Sequence, residues 1–153
     1  MPEEIVPLVS SSVAGPLGVL HLPRLWLKVL LHACGRLPEG YRHGAGGFDE
    51  LLTASLGIDN AAFVAYLENE KPSYLQLEAW VKAHARNLTP EAVAAFNHKI
   101  RTRDMGANLA VERRARFGIA DASFAHAVTL NDLDDWDQVY RRLTSSAEPP
   151  PAG

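Results

Sequence analysis

HLPRLWLKVLLHACGR, residues 21–36, is mostly apolar, yet Arg24, Lys28, His32 and Arg36 recur through it at every fourth position. On an α-helix four positions advance by about 40°. The four basic groups therefore sweep roughly a third of the circumference, and the rest belongs to Trp26, Leu27, Val29, Leu30, Leu31, Ala33 and Cys34. This pattern predicts a central helix, buried on most sides and wet along one edge. Pro23 suits the first turn, where its missing N–H is not needed, and Pro38 with Gly40 should end the helix near Leu37. Cys34, on the apolar side, is expected to pack in the core as a small hydrophobe.

The rest of the chain is punctuated in the same way. Asp59 can cap the segment AAFVAYLENE, Ser73 and Gln76 form a capping box ahead of YLQLEAWVKAHAR, and Thr89-Pro90-Glu91 opens another helix. Asp49–Leu56 reads as a short helix stopped by Gly57, and Gly106 and Gly118 bracket NLAVERRARF. Asn131 is placed to cap a last helix, DLDDWDQVYRRL, with acids first and arginines last as the helix dipole prefers. Residues 119–130 read either as a loop with one helical turn or as a short strand; no other run alternates like a strand. The expectation is an all-α single compact domain of six to seven helices over residues 21–145. Residues 1–20, with three prolines and a Ser-Ser-Ser run, form an extended N-terminal arm, and residues 146–153 form a disordered tail.

Composition narrows the function classes. The chain has 153 residues, 47% apolar and 22% charged, with a net charge of −3, ordinary for one soluble domain. A nucleic-acid binder is expected to be strongly basic. The basic stretch from Lys99 to Arg116 is opposed by four aspartates between Asp132 and Asp137 and lacks interleaved aromatics, which argues against nucleic acid. One cysteine excludes a disulfide within the chain. The apolar run of residues 25–34 is too short for a membrane span, and the acidic start does not read as a secretory leader. Together these point to a cytoplasmic protein.

The blocks LGVLHLPR, Lys28, GYRH, FDELLTASLGID and AWV, in this order and with these gaps, resemble a family of small bacterial proteins catalogued as domain of unknown function five thousand and sixty-nine. Its members read like LGGYVHLPRLIDKARA…GEYHYNCPLD…FTGID. The resemblance covers residues 16–90 and implies a compact helical domain without an established activity. Leu22, Pro23, Arg24, Lys28, Tyr41, Asp49, Gly57, Ile58 and Asp59 fall on the family pattern, whereas Gly46 and Gly47 replace its Cys-Pro.

Two places could carry chemistry. Arg24, Lys28 and His32 could converge on a phosphate or carboxylate; alternatively they form a solvated edge paired with acids such as Asp49, Glu50 or Glu68. For Arg24 and Lys28, Asp49 is the first candidate. The glycine-rich loop PEGYRHGAGG brings Tyr41 and His43, which with Asp49 are the candidate acid–base groups, or it is merely a flexible connection. The six histidines are scattered without a zinc-binding spacing, so no metal and no cofactor is expected. The function expected is a small module binding an anionic small molecule or protein partner. The alternatives are a cofactor-independent lyase, isomerase or cyclase using the same pocket, and a structural subunit of a larger assembly. A homodimer is left open.

Overall fold

A computed structural model describes residues 3–145; the segment 146–153, expected to be a disordered tail, lies outside the described residues. The described residues form seven helices: α1 (Leu22–Ala33), α2 (Gly47–Ser55), α3 (Asn60–Glu70), α4 (Tyr74–His84), α5 (Pro90–Thr102), α6 (Ala107–Phe117) and α7 (Ala127–Ser145). Among the described residues there is no strand, only two isolated bridges, Ala14–Leu20 and Asp104–His126. The ambiguous segment 119–130 is thus a loop running into α7.

Local sequence explains most boundaries. Asp59, Ser73 and Thr89 accept the expected hydrogen bonds from Ala62, Gln76 and Ala92, and the Ser73–Gln76 capping box is complete. α1 stops short of Leu37. Gly35 takes φ +67°, and the Gly35 and Arg36 N–H groups donate back to His32 and Leu31, a left-handed turn that leaves no carbonyl for the helix to continue on. Cys34, one position earlier, is exposed, so the expected core cysteine is corrected to a surface one at the helix end. α7 begins a turn before Asn131, which lies inside the helix and does not cap it.

α1 is central, packing on α3 and α4, while α2 packs on α3 and α5. Leu22, Leu25 and Val29 of α1 meet Leu52, Phe63, Leu67, Leu77 and Phe96, all essentially inaccessible to water. Each such side chain contributes about 1.5–3 kcal/mol relative to exposure. Residues 3–20 contain no helix and lie along this body: Val6 and Pro7 are buried, and the Ile5 N–H donates to the Arg36 carbonyl. α6 packs on α7. Met105 N–H to the Ala125 carbonyl and Ala127 N–H to the Arg103 carbonyl pin the α5–α6 connection beside the start of α7.

A candidate anion-binding cleft over the first helix

The stripe on α1 divides. Arg24 and Lys28 are buried, each about 5% exposed, whereas His32 is exposed. Lys28 Nζ donates to both oxygens of Asp49, at 2.8 and 3.0 Å, the expected pairing. Arg24 differs from the expectation. Its acid is Asp135 of α7, held by two parallel hydrogen bonds at 2.6 and 3.1 Å, and its Nη1 also donates to the carbonyls of Pro7 and Val9. The chain does fold back over α1 after the glycine-rich loop, as Asp49 shows, but the cover over Arg24 comes from the two ends of the chain. Glu50 and Glu68 hold neither cation.

His21 completes the buried array. Its Nε2 lies 2.7 Å from Asp49 Oδ1 and its Nδ1 lies 2.8 Å from Ser11 Oγ. Burial lowers its pKa, against the opposing pull of Asp49. The neutral ring then carries its proton on Nε2, facing the carboxylate, and accepts from Ser11 at Nδ1. A Ser–His–Asp sequence of contacts invites comparison with hydrolytic triads. Ser11, however, is 1% exposed and is not among the residues bordering the cleft, so its hydroxyl is turned into the core. The array fixes His21, which must hold φ +70°, a left-handed conformation uncommon outside glycine.

Asp49 receives a third donor, the Gly44 N–H, at 2.9 Å. Burial alone would raise its pKa; the His21 hydrogen bond and the Lys28 ammonium overcome this and hold it at about 2. Lys28 is itself lowered by burial, which outweighs Asp49. The asymmetry has a plain origin: the carboxylate has three donors, whereas the ammonium has one carboxylate. Tyr41 donates to Asp135 Oδ1 at 2.9 Å, and burial together with that carboxylate pushes its phenol pKa up. His43 is elsewhere, its ring stacked on His32 at 3.5 Å. Among the described residues no three His, Cys, Asp or Glu side chains gather as metal ligands.

Above this buried layer lies an open cleft of about 550 Å³ between α1, the start of α2, the start of α6 and α7. Arg24, Lys28, Tyr41 and Asp49 reach it; His32 and His43 do not. Its other cations escaped the sequence reading. Arg42 lies against Gly46 and Gly47, which take φ +71° and +53°; a Cβ on Gly47 would overlap the Arg42 guanidinium. A proline, locked near φ −65°, could not take the place of Gly47 at φ +53°. Arg103, on the opposite wall, sits 5.9 Å from the Phe48 ring centroid. Among the described residues neither Arg42 nor Arg103 forms an ion pair. Arg113 pairs with Asp134, but its buried Nε has no hydrogen-bond partner there. The expected neutralisation of the basic stretch by the aspartates is therefore partial: Arg113 and Arg116 share Asp134, and Arg103 remains unmatched.

Fold and site define a small all-helical protein with buried ion pairs under an arginine-walled cleft. The chain belongs to the family described as a domain of unknown function (DUF5069), matched over residues 9–139. The match runs beyond residues 16–90 to include α5, α6 and most of α7. No curated protein matches the chain. Among the described residues no helix is long and apolar enough to cross a membrane.

Proposed function

We propose that the cleft binds an anionic small molecule, with Arg42 and Arg103 as the groups that meet its phosphate or carboxylate. One observation carries this reading. The Arg42 guanidinium, over Gly46 and Gly47, and Arg103, beside the Phe48 ring, line one cleft, and among the described residues neither forms an ion pair. Two guanidinium groups without carboxylate partners in one concave site suit a phosphate or carboxylate. The volume falls in the range usual for small-molecule sites, roughly 300–1,000 Å³, and Phe48 and Tyr41 offer ring surface to an attached apolar group. Arg24 and Lys28, already matched by carboxylates, form the floor and contribute hydrogen bonds more than net charge. The hydrolytic or acid–base alternative finds less support. Both His21 nitrogens are engaged and Asp49 accepts from three donors, so neither offers a free position to a substrate proton.

The test is thermal shift and calorimetry with inorganic phosphate, pyrophosphate, dicarboxylates and nucleotides, each against chloride of equal ionic strength. Saturation at about a hundred times Kd stabilises by about 2.7 kcal/mol. An Arg42→Ala, Arg103→Ala double variant should melt like the parent without anion and lose this stabilisation. If no anion raises the melting temperature above its chloride control, the proposal is wrong.

A further inference from the structure

The outer face of α7 carries an apolar seam that the other described residues leave largely exposed. Trp136, Tyr140 and Leu143 are 58%, 65% and 69% exposed, and Leu133 continues the row half-buried. The spacing is three, four, three, which keeps all four within about 80° of the helix circumference, the seam of a coiled-coil contact. Leu8 and Val13 extend the patch from the N-terminal segment.

The seam reads the same in both directions. Positions 133 and 143 are equidistant from 138, and so are 136 and 140. Two α7 helices crossing antiparallel about a twofold axis level with residue 138 therefore bring Leu133 of one copy onto Leu143 of the other, and Trp136 onto Tyr140, twice each. A face that matches itself under a twofold is what an isologous dimer requires. Charge agrees. Asp137 and Arg141 form an ion pair beside the seam at 2.9 Å. The same axis places the Arg141 of one copy within about 3 Å, measured along the helix, of the level of the other copy's Asp137. Area agrees as well. At roughly 200 Å² per aromatic side chain, Trp136 and Tyr140 alone leave on the order of 250 Å² of ring in water. With Leu143, Leu8 and Val13 added, the patch reaches a few hundred Å² of apolar surface, the size at which an exposed patch marks an association site. We propose that α7 is a self-association face and that the protein is an antiparallel α7–α7 homodimer.

Sedimentation of the full chain across a concentration series tests this. The expected result is a dimer, with Trp136→Glu or Leu143→Glu weakening it by about thirtyfold or more, as when a central anchor is lost. Both side chains are mainly exposed, so far-UV circular dichroism of each variant should match the parent. Arg141→Glu should weaken the dimer, and adding Asp137→Arg should restore it. A monomer at every concentration would overturn the proposal. So would a dimer indifferent to all of these changes. A monomer that dimerises once residues 146–153 are removed would assign the seam to the tail instead, and equally overturn it.

Discussion

Arg24 and Asp135 stand 111 positions apart and meet at 2.6 Å, their side chains 6% and 3% exposed. The same guanidinium holds the carbonyls of Pro7 and Val9, and the same carboxylate accepts from Tyr41. One residue of α1 thus ties down the N-terminal segment, the glycine-rich loop and the last helix. Arg24→Ala should destabilise by about 3–5 kcal/mol, because Asp135 remains buried with only Tyr41. Arg24→Lys should recover little, since one ammonium cannot replace a fork that serves a carboxylate and two carbonyls. Urea denaturation measures both; an Arg24→Ala protein within about 0.5 kcal/mol of the parent, like an ordinary surface change, would show the pair to be ornamental.

The Lys28–Asp49 pair should respond asymmetrically. Asp49→Asn strands a buried ammonium whose sole carboxylate is gone, and should cost about 3–5 kcal/mol. Lys28→Met leaves Asp49 with the His21 ring and the Gly44 N–H and should cost clearly less. Because the two share one interaction, the double variant should be less unstable than the sum of the singles. Additive losses in a double-mutant cycle would contradict the coupling.

How much of this was legible in the sequence follows from the range of each interaction. Caps at Asp59, Ser73 and Thr89 act within four residues, so they are written locally and the helices they start are readable. Lys28–Asp49 was readable because a single glycine-rich connection, residues 34–46, separates the two helices and the apolar side of α1 demands a cover. Asp135 was not. Four aspartates crowd residues 132–137, and only the packing of α7 against α1 and the N-terminal segment decides which one turns inward. His21 was overlooked as one of six scattered histidines, because nothing local to it shows that Ser11 and Asp49 close on its two ring nitrogens. Arg42 and Arg103 carry no local mark of a site. They face one cleft because the α5–α6 connection is pinned to the start of α7.

Glycine substitutions separate stability from binding. Gly118 ends α6 at φ +69° with open space around its missing side chain, whereas Gly47, at φ +53°, carries the Arg42 guanidinium. Each alanine should cost about 1–2 kcal/mol for the left-handed backbone. Only Gly47→Ala displaces Arg42, so only it should weaken phosphate binding in calorimetry. Equal phosphate affinity in the two variants would remove Arg42 from the site.

Acidification should destabilise the protein in two stages. Burial lowers the His21 pKa below its ordinary 6.5, so between the folded value and 6.5 the unfolded chain binds a proton that the folded chain refuses. Stability then rises with pH in that window and falls as pH drops below about 6.5, by up to about 1.4 kcal/mol per pH unit for one proton. Asp49 acts lower down. Its carboxyl is held at about 2 against 3.8, so its contribution is complete above 3.8 and is lost as pH falls through 2. Lys28, lowered from 10.5 by burial, works in the same sense on the alkaline side, its ammonium becoming less of a burden as pH rises toward 10.5. Chemical denaturation at a series of pH values from 8 to 4 should show the first loss setting in near 6.5. In His21→Gln, which keeps a side chain able to donate to Asp49, that first loss should be missing from the difference between pH 7 and pH 5, whatever the variant's absolute stability. An unchanged slope in His21→Gln would place the responsible proton on another group and free His21 from its assigned neutral state.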